Sequence, residues 1–253
     1  MTTHDQQTHQ QFGTVAAAYL TSSVHAQGAD LTRVAAHVSQ TPAAKVLDLG
    51  CGAGHLSFAM APHAASVVAV DLSQAMLEVV ATEAHQRGLG NIAVEQASAE
   101  SLPFADAGFD YVCTRFSAHH WGDIRAGLRE AHRVLKPGGE LVVIDIVAPE
   151  SPLCDTYMQA IELLRDVSHV RDYAPSEWRR LLGEAGFEVM LFDSWRLRME
   201  FDSWTARMRT PALHVSAIRA LIDAAPREVR AHLGVDADYG FDLEAGLICS
   251  RRV

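Results

Sequence analysis

The segment with the most chemical content in this sequence is a glycine-rich turn that follows a short apolar strand at 45–49. The turn contains Gly50, Gly52 and Gly54. A strand that runs through such a turn into a helix points backbone N–H groups at a ligand. The third glycine comes one residue too early for the G-x-G-x-x-G pattern that holds a dinucleotide pyrophosphate. Asp48 precedes the turn, where a carboxylate repels phosphate and suits an ammonium or a sulfonium.

A second acidic residue ends the next apolar segment, SVVAVD at 66–71. An acidic residue at this point of a βαβ unit, here Asp71, commonly accepts hydrogen bonds from ribose hydroxyls. Asp71 could instead only cap the following helix. Asp48 could likewise only cap the glycine turn, with the glycines making that turn tight. Because both carboxylates belong to one βαβ unit, they predict a site for a cationic nucleoside rather than for NAD.

Two histidines, His119 and His120, follow the strand predicted at 109–114, where a doubly wound sheet places its ligands. One of them is the predicted general base or substrate-orienting residue, and helix capping is the alternative. Neighbours on an extended or turning segment point apart, so the two are not expected to face one atom. No metal site is predicted, because Asp110 and Asp145 look isolated and the histidines lack the i, i+4 spacing of a zinc helix.

The elements that must position these residues alternate between strand and helix from residue 45 to residue 147. Strands rich in Val, Leu and Ile predict a parallel sheet covered by helices on both faces. Right-handed crossovers then make the sheet doubly wound. Residues 1–11 are expected to be loose and residues 12–38 helical. After Pro149, helical stretches precede a last strand at 243–250.

Composition narrows the classes of function. The chain has 253 residues, 49% of them hydrophobic, and a formal net charge of −10. An acidic chain without a Lys/Arg run is a poor partner for nucleic acids or for an anionic membrane surface. No apolar run approaches the roughly 18 residues that span a bilayer, and the polar N-terminus does not resemble a signal peptide. The four cysteines are scattered, which favours a cytoplasmic protein with reduced thiols.

Several motifs, in this order, resemble those of the class I S-adenosylmethionine-dependent methyltransferases. They are VLDLGCGAG, VAVDLS, AESLPF with FDYV, and RVLKPGG. The nearest branch is similar to the ubiquinone/menaquinone C-methyltransferases, the methyltransferase type 11 family. Within it, RFSAHHW, SHVRDY and RMRTP resemble a bacterial subgroup that acts on small molecules. The resemblance covers about residues 10–250.

The resemblance implies a Rossmann-like, doubly wound α/β fold with a seven-stranded sheet. That sheet is mostly parallel with an antiparallel last strand, and N-terminal helices and a helical lid accompany it. Residues 1–40 are then an N-terminal helical cap and residues 41–150 the cofactor-binding core. Residues 151–253 supply the substrate lid and the closing strands of the same domain.

The resemblance also implies roles at the methionine end of the cofactor. Gly50, Gly52 and Gly54 pass under the methionine part of S-adenosylmethionine, and Asp48 lies near its ammonium, directly or through water. Arg115 approaches the methionine carboxylate, with Ser117 beside it.

At the nucleoside end, Asp71 holds the ribose hydroxyls and Leu72 packs against adenine. The backbone N–H of Ala99 and the side chain of Glu100 flank the adenine edge. Many relatives have an Asp before that alanine, whereas this chain has Ser98, so an acidic contact to the adenine amino group is not expected here.

Residues outside the core are predicted to hold the substrate. Phe12 and Tyr19 match the N-terminal helical segment that closes over cofactor and substrate, and Tyr19 is also a catalytic candidate beside the two histidines. Arg165, His169 and Arg171 form a basic cluster in an acidic protein, suited to an anionic or carbonyl-rich ligand. The alternative for this cluster is a solvated helix face paired with neighbouring acids.

The predicted function is in-line methyl transfer to a small, planar aromatic or heterocyclic metabolite at nitrogen, carbon or oxygen, by a monomer or homodimer. S-adenosylhomocysteine is the cofactor product. A nucleic-acid or protein methyltransferase is disfavoured by the acidic charge and by the absence of an N-P-P-Y-type motif. An NAD-dependent oxidoreductase is disfavoured by the glycine spacing. An inactive nucleoside-binding homologue is left open.

Overall fold

A single seven-stranded sheet organises the computed structural model, which describes residues 3–13 and 28–253. The strands are β1 (Lys45–Leu49), β2 (Ser66–Asp71), β3 (Ile92–Gln96), β4 (Phe109–Arg115), β5 (Leu135–Val147), β6 (Phe187–Met199) and β7 (Phe241–Arg252). Their order is β3-β2-β1-β4-β5-β7-β6. The first five strands pair in parallel, and β7 is antiparallel to both of its neighbours. The predicted mixed, Rossmann-like sheet is therefore confirmed.

Helices cover both faces of the sheet and one end of it. They are α1 (His4–Gly13), α2 (Ala29–Val38), α3 (His55–Met60), α4 (Gln74–Gln86), α5 (Ile124–Val134), α6 (Pro152–Arg165), α7 (Pro175–Glu184), α8 (Phe201–Arg207), α9 (Ala212–Ala224) and α10 (Arg227–Leu233). None of the helices in the described ranges is long and apolar enough to cross a membrane.

Helix α1 corrects the prediction that residues 1–11 are loose. Its sequence, HDQQTHQQFG, has almost no apolar residues and so gives no periodic signal. Side chains tie it down instead: ring nitrogens of His4 and His9 lie 2.7 and 3.1 Å from the carbonyl oxygens of His120 and Leu72. Helix α1 thus lies across the ends of the strands by polar contacts that a hydropathy pattern does not show.

The strand order reverses between β1 and β4. From β1 the chain builds outward through β2 to β3, and then returns to place β4 on the other side of β1. Side chains of β1 are buried from Val46 to Leu49, as expected for a central strand covered on both faces. In open sheets of this kind, ligands bind in the crevice at the carboxyl ends of the strands, at the reversal point.

The segment after β5 packs its own hydrophobic cluster against the carboxyl end of the sheet. Trp204, Phe241 and Ile218 are at most 1% exposed there and join α8, α9 and β7. Helices α6 and α8 are thereby fixed above the crevice. The helical stretches predicted after Pro149 correspond to α6 to α10.

Candidate active site

A cavity of about 190 Å³ opens at the carboxyl ends of β1, β2 and β4. The glycine turn forms its floor, and residues of α6 and α8 stand opposite. The structure brings most of the predicted site residues to its wall: Asp48, Gly50, Gly52, Asp71, Leu72, Ala99, Glu100, Arg115, Ser117, His119, His120 and Arg165. Gly54 begins helix α3 just behind the wall.

Backbone geometry explains the glycines of the turn. Gly50, Gly52 and Gly54 have φ angles of 71°, 50° and 86°, in the left-handed region that side chains disfavour. The N–H groups of Gly50 and Cys51 both donate to the Val70 carbonyl at 2.9 Å, which locks the turn to β2. At Gly52 a Cβ would have no atom within 4 Å, so this glycine leaves open space toward the cavity.

Gly50→Ala is expected to destabilise the protein more than Gly88→Ala. Both glycines have a left-handed φ, near 70°, so both alanines carry strain of about 1–2 kcal/mol. The added Cβ at Gly50 would also lie 1.9 Å from Ser117 Oγ, whereas at Gly88 it would meet no atom within 4 Å. Overlap of this kind adds about 1–3 kcal/mol. Urea unfolding measures both variants, and equal losses would contradict the close packing of the turn.

Asp48 stands buried beneath the glycine turn with an incomplete set of partners. Its Oδ2 accepts a hydrogen bond from Ser57 Oγ at 2.5 Å. Its Oδ1 has no hydrogen-bond donor among the described residues. Burial raises the pKa of Asp48 to about 7, although the Ser57 hydrogen bond offsets part of that effect. A cationic ligand beside this carboxylate would supply the missing stabilisation.

The affinity of a cation-bearing nucleoside for this site should therefore rise with pH. With a ligand-free pKa of about 7, Asp48 must lose its proton before it attracts an ammonium. We expect S-adenosylhomocysteine to bind up to about tenfold more tightly per pH unit below pH 7, with a plateau above it. Calorimetry between pH 5.5 and 8.5 measures this, and Asp48→Asn should flatten the curve. The same slope in that variant would exclude Asp48 as its cause.

Asp71 ends β2 with both carboxylate oxygens facing backbone donors. Its Oδ1 accepts from the N–H of Ser73 and its Oδ2 from the N–H of Gly52, each at 2.8 Å. Burial raises the pKa of Asp71, and these two N–H bonds offset part of the rise. The carboxylate is thus held rigidly at the cavity wall, and each oxygen retains lone-pair capacity for a hydroxyl. The N-cap of α4 is Ser73, whose side chain accepts from the Met76 N–H, and not Asp71.

Arg115 reaches the cavity from the end of β4 but already has an ionic partner. Its Nε lies 2.5 Å from Asp30 Oδ2 on α2, and both side chains are buried. Ser117 accepts a hydrogen bond from Trp121 Nε1 at 3.2 Å. The predicted contact of Arg115 with a ligand carboxylate remains a prediction, and any such contact shares the guanidinium with Asp30.

The two histidines lie on a 3-10 turn at Ala118–His120. Their rings are only 4.1 Å apart between centroids, and both border the cavity. The expectation that neighbours on an extended or turning segment point apart is wrong here, because this 3-10 turn brings the two rings side by side. Each ring has its own partner: Nδ1 of His119 lies 2.6 Å from Asp145 Oδ1, and Nδ1 of His120 lies 3.0 Å from the Ser168 carbonyl.

The surroundings of the two histidines shift their pKa values in opposite directions. For His119, burial alone would lower the pKa, but the Asp145 carboxylate outweighs it and raises the pKa to about 9. For His120, burial and the neighbouring charge of His119 lower the pKa to about 4. At neutral pH His119 is therefore an imidazolium and His120 a neutral imidazole. A pair of titratable groups separated in this way is typical of a catalytic site.

The sequence suggested that Asp145 is isolated, and the structure shows that it is not. One ligating atom each of His119, Asp145 and Asp172 lie within 4.8 Å of one another. Asp145 nevertheless uses its oxygens on N–H donors: His119 Nδ1, the backbone N–H of His119, and that of Ile146. Neighbouring ligands of a tetrahedral zinc stand about 3.4 Å apart, whereas His119 and Asp145 are 2.6 Å apart. The geometry is that of a hydrogen-bonded His–Asp pair, and the absence of a metal remains a prediction.

The predicted substrate residues are only partly brought together. Arg165 lines the cavity, and its Nε donates to the Trp204 carbonyl at 3.1 Å. His169 and Arg171 do not line it: His169 lies 2.9 Å from Gln159 Oε1, and Arg171 is 3.0 Å from Asp155. For Arg171 the structure shows the paired-charge alternative, and its place in substrate binding stays a prediction without support from this geometry.

Two further predicted residues concern the N-terminal segment. Tyr19 lies outside the described residues, and of Phe12 only the backbone, as part of α1, is described. Helix α1 itself reaches the cavity through Asp5 and Thr8. Sequence reasoning missed these two, as well as several residues of the lid. The missed lid residues at the cavity wall include Glu162, Asp166 and Asp172.

Of the missed residues, Asp172 had a signal in the sequence. It belongs to the segment SHVRDY, which the resemblance singled out without giving this carboxylate a role. The other acids, Glu162 and Asp166, sit at the end of a helix whose pattern gives no reason to expect buried charges. Only the tertiary structure places them beside the histidines.

Comparison with known proteins gives a consistent result. Residues 46–139 match a family described as a methyltransferase domain. The chain is 49% identical to Escherichia coli K12 YafE, over 76% of this chain and 93% of YafE. It is 36% identical to the methyltransferase YcgJ of Bacillus subtilis, over 84% of each. The crystal structure of YcgJ superposes with a TM-score of 0.83 and 33% identity, covering 89% of this chain and 99% of YcgJ.

A further relative is the demethylmenaquinone methyltransferase of Clavibacter sepedonicus. The two are 40% identical over 160 residues, which cover 59% of this chain and 64% of that protein.

Proposed function

Because the chain belongs to the class I S-adenosylmethionine-dependent methyltransferases, we propose that it methylates a small, planar aromatic or heterocyclic metabolite in the cavity described above. One observation carries this proposal. The cavity joins a carboxylate pair suited to a cationic nucleoside, Asp48 and Asp71, to a histidine held by a buried carboxylate, His119. The part of the cavity around Asp48 and Asp71, the nucleoside half, fits S-adenosylmethionine. The part around His119, the acceptor half, fits a methyl acceptor.

The residues at the glycine turn fit the cofactor. The buried Oδ1 of Asp48 lacks a donor among the described residues, which an ammonium near the turn would relieve. Gly52 leaves space in which a Cβ would meet nothing within 4 Å, so a ligand can approach the backbone. Asp71 is fixed by two backbone N–H groups and presents its remaining lone pairs to ribose hydroxyls. Leu72 and Ala99 at the same wall then contact the adenine.

When bound, the cofactor supplies a methyl group that its sulfonium has already activated. The protein therefore has to orient the acceptor and keep water out. At neutral pH, His119 is positively charged and its Nδ1–H is used on Asp145. Its Nε2–H has no partner among the described residues and donates to the acceptor. Of the two roles predicted for this residue, orientation of the acceptor fits this charge better than proton removal.

The size and walls of the cavity support a small acceptor. A cleft walled by residues of α1, α6 and α8 matches a metabolite better than a nucleic acid or a folded protein. The Clavibacter relative carries the name of an enzyme that acts on demethylmenaquinone, a compound with a planar ring. Helix α1 and the lid helices contribute wall residues on either side of the core, which supports the division into cap, core and lid.

Calorimetry with S-adenosylhomocysteine and with NAD tests the proposal. We expect one molecule of S-adenosylhomocysteine per chain at pH 8 and no measurable heat with NAD, because Asp48 faces the place of a pyrophosphate. Transfer of labelled methyl from S-adenosylmethionine to a panel of planar heterocycles, phenols and quinols then tests catalysis. Tight NAD binding would overturn the proposal. Binding of S-adenosylhomocysteine without any transfer would favour the inactive nucleoside-binding homologue.

A further inference from the structure

We propose that His119 and Asp172 form a two-point site for an acceptor edge that carries a carbonyl oxygen next to an N–H group. Such an edge belongs to lactam- and ureide-type nitrogen heterocycles. The inference rests on the proposed methyl transfer and names the class of acceptor within it. The site uses His119 as the donor to the carbonyl oxygen and Asp172 as the acceptor of the N–H.

The ring of His119 is held in position to donate a hydrogen bond from Nε2. Its Nδ1 is committed to Asp145 at 2.6 Å, and its backbone N–H also points to that carboxylate at 3.2 Å. Two contacts to one buried carboxylate fix the ring in a single orientation. Among the described residues no group hydrogen-bonds to Nε2, while the side chain lines the cavity. A hydrogen bond to a charged donor is worth more than one between neutral groups.

The carboxyl group of Asp172 is placed to accept a hydrogen bond from a ligand. Its carboxyl group is 2% exposed and lies at the cavity wall. No described residue donates a hydrogen bond to either side-chain oxygen, and Oδ2 is fully buried without a partner. The nearest ring nitrogen, His169 Nε2, is 3.9 Å away and is already 2.9 Å from Gln159. Burial raises the pKa of Asp172 well above its ordinary value. An unpartnered buried carboxyl is costly, so a ligand N–H is the missing partner.

The two groups are close enough to act on one edge. A nitrogen of His119 and an oxygen of Asp172 lie within 4.8 Å of each other. The imidazole ring and this carboxyl group are therefore neighbours at the cavity wall, where hydrogen bonds of about 2.8–3.0 Å from Nε2 and from a carboxyl oxygen can reach neighbouring atoms of one ring. A metal ion is the competing ligand for this cluster, but Asp145 already accepts from three N–H donors. That leaves two groups, a donor and an acceptor, rather than three free ligands.

The same wall discriminates against other acceptors. A heterocycle whose N–H groups are alkylated has no donor on this edge and leaves Asp172 without its partner. The O–H of a quinol or phenol can donate to Asp172, but it offers His119 only a phenolic oxygen, which is a weaker acceptor than a carbonyl. A site that hydrogen-bonds a substrate rejects the analogue that lacks the group, because its own buried polar atoms are then unpaired.

The test compares lumazine, 1,3-dimethyllumazine and 1,4-dihydroxynaphthalene by calorimetry on protein saturated with S-adenosylhomocysteine. Lumazine has the proposed edge, the dimethyl derivative has its N–H groups replaced, and the diol has none. We expect the wild type to bind lumazine at least tenfold more tightly than either of the others. In Asp172→Leu, which removes the acceptor at similar size, the preference for lumazine over its dimethyl derivative should fall below threefold. The matched control Asp155→Leu lies on α6 outside the cavity and should keep the wild-type preference.

The outcomes separate this inference from the proposed function. Unfolding free energies should show Asp172→Leu at least as stable as the wild type, since the variant removes an unpaired buried polar group, and its affinity for S-adenosylhomocysteine should be unchanged. An equal preference in wild type and Asp172→Leu, tighter binding of the diol, or no lumazine binding at millimolar concentration would overturn the two-point site. Stoichiometric manganese or zinc that is lost in Asp172→Leu would overturn it in favour of a metal. Failure to bind S-adenosylhomocysteine would instead overturn the proposed function.

Discussion

Replacing His119 with asparagine should lower the rate of methyl transfer by roughly 100-fold to 1,000-fold, the usual effect of removing one preorganised donor from an active site. The variant loses an imidazolium that Asp145 holds at 2.6 Å and aims at the cavity. The affinity for S-adenosylhomocysteine should stay within about twofold, because the nucleoside half of the cavity is untouched. The rate is measured as label transferred to whichever compound of the panel the wild type methylates.

Two control variants test whether this effect is specific to His119. His85→Asn, on the exposed face of α4, should behave as the wild type. His120→Asn should cost far less than His119→Asn, since His120 is neutral at pH 7 and its Nδ1 is bonded to the Ser168 carbonyl. Equal, near wild-type rates for both variants would remove histidine from the mechanism.

The charge on His119 also predicts a pH dependence. Its pKa in the folded protein is raised to about 9, so the donor form predominates at neutral pH and is lost as the pH rises through 9. The apparent kcat/KM of the wild type should therefore fall above pH 9. A rate that instead rises through pH 9 would mean that His119 acts as a base.

Asp71→Ala should weaken S-adenosylhomocysteine by about 1–3 kcal/mol, or roughly fivefold to 150-fold. The substitution removes the proposed partner of the ribose hydroxyls. It also removes the acceptor of the Gly52 and Ser73 N–H groups, each 2.8 Å away, so the turn loses an anchor as well. Titration calorimetry at pH 8 gives both the affinity and the enthalpy of the lost contacts.

Asp71→Asn separates the two effects. Asparagine keeps an oxygen for one backbone donor but loses the charge, and we expect a loss smaller than that of the alanine variant. Glu95→Gln, an exposed residue on the neighbouring strand β3, should leave the affinity unchanged. Wild-type affinity in Asp71→Ala would refute the ribose assignment.

The sheet and the nucleoside half of the site were predictable because their signals are local. Apolar segments such as 45–49 and 66–71 predict a buried parallel sheet. The acidic residues near their ends lie where doubly wound folds bind their ligands. The crevice at the reversal of strand order then brings Asp48, Asp71 and His119 to one edge.

The acceptor half depends on contacts between distant segments. Asp145 and Asp172 meet His119 from β5 and from the loop after α6, and no spacing rule connects these three positions. A single sequence does not show which charged residues form ion pairs. Arg171 was predicted to bind the substrate, but it is paired with Asp155 and Glu177. Helix α1 was missed because side-chain hydrogen bonds, not an apolar face, hold it against the core.

A crystal structure of the protein grown with S-adenosylhomocysteine tests the central claim most directly. We expect the nucleoside in the cavity with its ribose hydroxyls on Asp71 and its amino-acid end over Gly52 beside Asp48, leaving the space next to His119 free for the acceptor. Density for the nucleoside elsewhere on the molecule, or a ribose that does not touch Asp71, would contradict this assignment.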